Sequence, residues 1–389
     1  PMSWRMKSER SWGRSGMKYN LADICEYVKG KVDVTILNKD TYISTENMIS
    51  NKGGITSASS LPTITQTQAF FAGDILVSNI RPYFKKIWFA EFDGGCSNDV
   101  LVFRAKDGVN KRFLYYVLAD DAFFDYAMVT SKGTKMPRGD KVAIMQYEVP
   151  IFSYEEQKKI AGILEVIDRK IKLNMEINKN LEQQAVAVFN KYYNASKNQQ
   201  PFTTLINVLG GGTPKTGNPE FWDGSIPFFT PKDVGTPYTF KTEKYITELG
   251  LKHCNSRLYP TNTTFVTARG TVGKISLAGA PMAMNQSCYA LTSEIVDPLL
   301  VYFYVFKAVN ALKHKASGAV FDAIVTRDFD GEIINILSDA DSEAALLIIK
   351  PMMEAIHNNS KENMQLSTVR DTLLPKLMSG EIDVSNIDI

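Results

Sequence analysis

Asn79-Ile80-Arg81-Pro82-Tyr83-Phe84-Lys85-Lys86-Ile87 returns 188 residues later as Thr267-Ala268-Arg269-Gly270-Thr271-Val272-Gly273-Lys274-Ile275. The same offset carries Ala90 onto Ala278 and Tyr116-Val117 onto Tyr304-Val305. Further along the offset becomes 185. Gly133 falls on Gly318, Ile151 and Ser153 on Ile336 and Ser338, Asn174 and Asn178 on Asn359 and Asn363, and Leu181 on Leu366. One offset with a single slip, held across half a chain, means two copies of one unit. The period is too long for a solenoid, whose repeats run roughly 20–50 residues. Two copies in one chain give pseudo-twofold symmetry, which suits a ligand that itself has two halves.

Each copy reads as a mixed α/β body followed by a long helix. In the first, Ile75-Leu76-Val77, Lys86 to Ala90 and Asp99 to Phe103 are short, β-branched or aromatic, and bounded by Gly, Asn and Asp, as strands are. A helix is expected from Lys111 to about Val129, with Leu114, Val117, Leu118 and Phe124 on one face. The second copy repeats the order with Thr264 to Thr267, Lys274 to Leu277, Cys288 to Leu291, and a helix from about Pro298 to His314.

The long helices follow. Ile160, Leu164, Ile167, Ile171, Asn174, Asn178, Leu181, Ala185 and Val188 alternate by four and three, the heptad seam of a coiled coil. Ala345, Ile349, Met352, Ile356, Asn359, Asn363, Leu366, Arg370, Leu373 and Leu377 keep the same spacing. Ser153-Tyr154-Glu155-Glu156 opens the first as an N-cap with acidic residues in the first turn. Alone, each helix would leave its stripe wet, so the expectation is an antiparallel pair. The asparagines Asn174, Asn178, Asn359 and Asn363 then either meet in the centre and fix register, at a cost in stability, or lie on a solvated flank.

Composition sets the limits. The 389 residues are 44% hydrophobic and 11% aromatic, enough for real cores, and a net charge of +2 makes any anion-binding face local rather than global. No run approaches the roughly 18 apolar residues of a membrane span, and Pro1-Met2-Ser3-Trp4-Arg5 lacks a signal-peptide core. The expectation is a soluble, cytoplasmic protein with no membrane partner. Four cysteines with no CxxC pair, and only three histidines, point to no metal site and no disulfide framework.

Catalytic signatures are missing. Leu209-Gly210-Gly211-Gly212-Thr213-Pro214-Lys215-Thr216-Gly217 lacks the order of a phosphate loop, and Asn218-Pro219 breaks any following helix, so a Gly-rich turn is expected. His253-Cys254 are adjacent rather than spaced as a dyad, and no GxSxG, HExxH or GxGxxG is present. The Asn-Pro-Pro-aromatic signature of amino-methyltransferases is also absent. No catalytic residue, metal ligand or cofactor is expected.

What remains is basic, polar and placed on turns. Arg81, Lys85 and Lys86 surround Pro82-Tyr83-Phe84, Asn98 lies between Ser97 and Asp99, and Lys132, Lys135 and Arg138 share one Gly/Pro-rich loop. In the second copy Lys215, Lys232, Arg269, Lys274, Asn285, Gln286 and Arg327 hold comparable places. Lys and Arg on loops anchor phosphates, whereas Arg, Asn and Gln read base edges with paired hydrogen bonds. Any one of these could be ordinary solvated surface; their recurrence at the repeat offset marks the set as a DNA-binding candidate.

Gly73-Asp74-Ile75-Leu76-Val77-Ser78-Asn79-Ile80-Arg81-Pro82, the Gly270 to Ile275 strand entry, Glu156-Gln157-Lys158-Lys159-Ile160-Ala161 and the tail Leu373-Leu374-Pro375-Lys376-Leu377-Met378-Ser379-Gly380-Glu381-Ile382 together resemble the specificity (S, HsdS) subunit of type I restriction-modification enzymes. The resemblance covers essentially the whole chain. It implies two α/β target recognition domains, at 1–152 and 197–337, each reading one half of a split, asymmetric double-stranded DNA site. It implies spacer helices at 153–196 and 338–389, which form an antiparallel coiled coil and dock two methyltransferase (M) subunits. Restriction/translocase (R) subunits would join through the complex, and methyl transfer and ATP hydrolysis belong to those partners. Pro82-Tyr83-Phe84-Lys85 departs from the Gly-rich turn that the second copy keeps. Loop chemistry differs between the copies, so the two half-sites are expected to differ. Two alternatives stay open: the specificity subunit of a related two-part modification or cleavage system, and a scaffold whose coiled coil bridges two ligand-binding domains unrelated to DNA.

Overall fold

The computed structural model describes residues 18–235, 237–315 and 323–387; Pro1 to Arg5 and Gly318 lie outside the described residues. The chain divides into two compact units, one of residues up to 170 together with those from 366 onward, the other of residues 171–365. Both are mixed α/β bodies capped by parts of two long helices.

In the first unit, Lys18–Asn20 pairs antiparallel with Glu148–Pro150, closing the body at its neck. One sheet has the order Cys25–Tyr27, Val100–Ala105, Ile75–Ser78, Ile87–Phe89, all antiparallel. A second has the order Lys31–Asp33, Gln66–Phe70, Gly94–Cys96, Tyr42–Ile43. Successive strand residues face opposite sides, and both sides of the first sheet are covered. Ile75, Val77, Ile87, Leu101 and Phe103 enter a core shared with helical residues such as Leu114, Val117 and Phe124. Leu76, Trp88, Val100 and Val102 enter another with Ile43, Phe70 and Cys96 of the second sheet. An unbroken apolar run such as Ile75-Leu76-Val77 is what burial on both faces requires. The expected single helix over 111–129 is two, Lys111–Ala119 and Asp121–Val129. Asp120 interrupts it with extended backbone, and its carboxylate caps the second helix by accepting from the Ala122 amide.

The second unit follows the same plan. Gln199–Pro201 pairs antiparallel with Ile333–Asn335. The larger sheet runs Asn207–Gly210, Cys288–Thr292, Thr264–Thr267, Ile275–Ala278, Tyr238–Thr239, and the smaller Lys244–Ile246, Trp222–Phe229, Ala283–Met284. Val266, Leu277 and Leu291 face a core built on the helix Pro298–Lys315, while Phe265, Ala278 and Ala290 face the opposite one.

The long helices are Tyr154–Ala195 and Asp339–Met378. Both begin alike. Ser153 and Glu156 cap each other's amides, at 2.8 and 3.3 Å, and the Ser338 hydroxyl likewise meets the carboxylate and the amide of Asp341, at 2.7 and 3.1 Å. In the first unit Ile160 and Leu164 share a core with Leu374, Leu377 and Met378. In the second, Ala185 and Phe189 share one with Ala345, Ile349, Met353 and Ile356. Early residues of one helix meet late residues of the other, so each pairing is antiparallel. Phe189, Met353 and Leu374 are buried where Val188, Met352 and Leu373 were expected to lead. Near its body a helix covers a globular core as well as its partner, and its apolar stripe widens beyond a heptad seam. The second helix continues through both Pro351 and Pro375.

Candidate nucleic-acid interface

In the first unit the chain leaves Ile75–Ser78 in a tight turn. Arg81 and Lys85 both adopt left-handed backbone, φ 51° and 49°, around the 3₁₀ turn Pro82–Phe84. Backbone hydrogen bonds stitch this turn to two distant segments. The Arg81 amide donates to Pro137 O at 2.8 Å, the Asn79 amide to Asp99 O at 2.8 Å, and the Gly139 amide to Asn79 O at 3.2 Å. Lys132 and Arg138 exchange amide bonds of 2.9 and 3.0 Å, closing the basic loop on itself. Arg81, Asn98, Lys132, Lys135 and Arg138 are thereby gathered from three stretches of sequence.

Their electrostatic states differ. Lys135 and Asn98 are exposed at the tips of their turns. Lys132 lies 2.6 Å from Asp140, and Arg138 lies 3.1 Å from Asp99. Lys85 and Lys52 both pair with Asp121, at 2.8 and 2.9 Å. Lys86 donates to Thr45 O at 2.6 Å, and burial holds its ammonium below the usual lysine range. Lys85 and Lys86 thus also brace the turn. The Arg81 Nε and the Asn79 Oδ1 are buried without a hydrogen-bond partner, and buried polar atoms seldom stay so. Beside Ser97 and Asp99 lies a polar groove of about 510 Å³, also lined by Tyr42, Ser44, Asn47 and Ser57. Sequence reasoning missed it; the signal was the run Thr56-Ser57-Ala58-Ser59-Ser60, rich in hydroxyls and poor in charge.

The second unit assembles its set in the same way. Arg269 is exposed and bridges to Ala323, and the Ala268 amide donates to Ser287 O at 2.8 Å. Ala268 O accepts from Ile324, two residues before the short helix Thr326–Asp330 that carries exposed Arg327. The Thr271 hydroxyl donates to Pro231 O at 3.3 Å, which brings Lys232 alongside; Lys232 itself reaches Glu243 at 3.4 Å. Gln286 accepts from the Thr213 hydroxyl, and Lys215 follows on the next turn, its carbonyl accepting from the Trp222 indole. The Asn285 Oδ1 accepts from the Ser287 amide at 3.0 Å. Lys274 is exposed near Lys313, which donates to Gly273 O at 2.6 Å. Within the glycine-rich stretch Gly211 lies so close to the Asn285 carbonyl that a Cβ would collide with it.

The four asparagines lie together inside the second unit. Asn174 Nδ2 donates to Asn363 Oδ1 at 2.9 Å and to Glu362 at 2.7 Å. Asn359 Nδ2 donates to Asn178 Oδ1 at 2.9 Å, and Asn178 Nδ2 to the Ser360 hydroxyl at 3.2 Å. The layers thus cross, 174 with 363 and 178 with 359.

His253 stacks on Phe221 with ring centroids 5.0 Å apart, and its Nδ1 lies 2.8 Å from Leu249 O, while the Cys254 thiol donates to Leu251 O. Among the described residues no group of His, Cys, Asp and Glu is arranged to hold a metal, and no helix is long and apolar enough to cross a membrane.

Comparison with known proteins joins these features. The model of the type I restriction modification DNA specificity domain matches twice, over residues 15–183 and 203–365, one match per repeat. The type I restriction enzyme HindI specificity subunit of Haemophilus influenzae is 23% identical, over 94% of this chain and 99% of its own length. The MjaIX specificity subunit of Methanocaldococcus jannaschii is 22% identical, over 72% of this chain and 71% of its own. The crystal structure of a type I restriction-modification S subunit from M. genitalium shares the fold, with a TM-score of 0.56 at 15% identity over 93% of this chain and 96% of that one. With both repeats matched by that family model, the chain belongs to the family of type I restriction-modification specificity subunits.

Proposed function

We propose that this specificity subunit is the sequence-reading, non-catalytic component of a type I complex. Each unit reads one half of a split, asymmetric duplex site. The observation that carries this is the stitching of the Arg81, Asn98 and 132–138 segments into one face, matched at the repeat offset by Arg269 and its neighbours. Exposed Lys135, Lys215 and Lys274 anchor phosphates. Arg81, Asn98, Arg269 and Gln286 are the candidates for base edges, through paired hydrogen bonds. Lys132, Arg138 and Lys232 trade their present carboxylates for phosphates, and Arg327 joins from the edge of the second set. The crossed asparagine layers fix the register of the helix pair, which acts as spacer between the half-sites and as the dock for two methyltransferase subunits. Those subunits carry methyl transfer, and restriction/translocase subunits join through them.

The test is binding by the complex with its methyltransferase subunit. A duplex carrying the methylated motif of the host should shift with a steep dependence on salt, each phosphate contact contributing a slope of about −0.9. Scrambling one half-site should abolish specificity while leaving the salt slope. Equal affinity for scrambled and intact sites would refute the reading.

A further inference from the structure

The turn Pro82–Phe84 carries a feature the second repeat lacks. Tyr83 is 48% exposed and Phe84 36%, their ring centroids 4.6 Å apart at 52°. Exposed aromatics on a loose loop would fold back against the body, but this turn is held in place. Pro82 is buried beneath it, the Asn51 amide donates to Phe84 O at 2.8 Å, and the Lys52 amide to Lys85 O at 2.9 Å. The Lys52 and Lys85 ammonium groups both clamp Asp121. Asn51, Lys52, Arg81 and Lys85 are all in left-handed backbone, a conformation that is strained for non-glycine residues and tends to persist at functional sites. The corresponding turn of the second unit reads Gly270-Thr271-Val272-Gly273 and presents no ring.

The surroundings say what the rings meet. Arg81, whose Nε has no partner, begins the turn and is bonded through its amide to Pro137. Pro137 lies in the loop of Lys132, Lys135 and Arg138, where Met136 is itself 48% exposed. An apolar tip rimmed by cations fits a duplex, whose phosphates pair with the rim and whose base steps accept apolar wedges from the minor groove.

Resting on the DNA-reading function above, we propose that Tyr83 and Phe84 form a wedge that enters a base step in the half-site read by the first unit, unstacking and kinking it. The second unit reads its half-site without such distortion. This adds specificity by deformability, since flexible pyrimidine–purine steps yield to a wedge more readily than stiff ones.

The experiment uses the complex with its methyltransferase subunit and duplexes in which 2-aminopurine replaces, one at a time, each adenine of the mapped motif and its flanks other than the methylated bases, which the methyltransferase subunit flips out by itself. A fluorescence rise is expected at one step in one half-site, with none in the other. In Tyr83→Ala/Phe84→Ala the rise should vanish, whereas in Tyr83→Leu/Phe84→Leu, which keeps an apolar wedge, it should persist. For the alanine pair affinity should fall about 10- to 100-fold, the scale of lost aromatic–base stacking. Val272→Ala, at the corresponding turn of the second unit, serves as the control and should change neither. A wild-type complex that binds its motif with no rise at any step would overturn the wedge and leave the DNA-reading function standing. Ring variants that bind DNA normally but lose the methyltransferase subunit would make the tip a protein contact and also overturn it. Failure of the wild-type complex to bind any duplex would refute the underlying function, and the wedge with it.

Discussion

Replacing Asn178 with alanine tests the helix pair where it is most polar. Asn178 is 8% exposed, accepts from Asn359 Nδ2 at 2.9 Å and donates to Ser360 Oγ at 3.2 Å. Each of these bonds contributes about 0.5–1.5 kcal/mol net, and the Asn359 amide is left facing a gap. The expected loss is therefore about 1–3 kcal/mol, or roughly 5- to 150-fold in the opening equilibrium. Asn178→Leu/Asn359→Leu removes both partners and rebuilds an apolar seam, so it should recover most of that loss. Whole-chain melting would blur the answer, because a chain of two compact units need not unfold in one step. Hydrogen exchange read on peptides from 171–195 and 345–365 resolves it. Faster exchange there in the alanine variant, restored in the double leucine variant, is the expected pattern. Unchanged exchange in the alanine variant would refute the view that the asparagine layers hold the helices together.

The loop cations should separate by their present partners. Lys135→Ala should lower the magnitude of the salt slope by about 0.9, whereas Lys132→Ala and Arg138→Ala should lower it less, since each now balances Asp140 or Asp99; filter binding across a salt series measures this. Arg81→Ala or Asn98→Ala should relax one half-site and spare the other, read by methylation mapping of the host genome. Burial pushes the thiols of Cys25, Cys96 and Cys288 up to about 12. They should stay unreactive at pH 8, so a thiol reagent should label only half-exposed Cys254 on the native chain and all four on the denatured one. Arg370 pairs with Asp168 at 2.9 Å, and Asp168 also accepts from the Tyr116 hydroxyl at 2.8 Å. Arg370→Ala should weaken the first unit by about 2–3 kcal/mol, seen as faster exchange in peptides covering 111–119 and 160–170.

The repeat offset made three strands of each copy legible, because strands buried on both faces leave unbroken apolar runs in both copies. The heptad spacing made the long helices legible, and the pairing of Asn174 with Asn363 follows from reading that spacing antiparallel. Other features depend on contacts no local pattern records. Asp120 breaks a helix because its carboxylate caps the next turn, although its neighbours keep an amphipathic rhythm. Val188 gives way to Phe189 because a globular core, and not only a second helix, lies against that face. Among the site residues, Lys85 and Lys86 look no different in sequence from Lys135. Their commitment to Asp121 and Thr45 O comes from segments about 40 residues away in either direction. The groove beside Ser97 was missed because hydroxyl-rich stretches ordinarily read as linkers.

Each body starts and finishes at a two-strand clasp, Lys18–Asn20 with Glu148–Pro150 in one and Gln199–Pro201 with Ile333–Asn335 in the other. Everything between the clasps therefore hangs from a pair of adjacent chain ends, the condition under which one domain can be grafted in place of another without disturbing its host. The long helices also touch the bodies away from those ends, as Asp371 meets Lys52 and His357 meets the Gly279 carbonyl, so a body that changes as a block must keep those contacts. A lineage could acquire a new half-site by exchanging one body at its clasp, keeping the helices and whatever they hold.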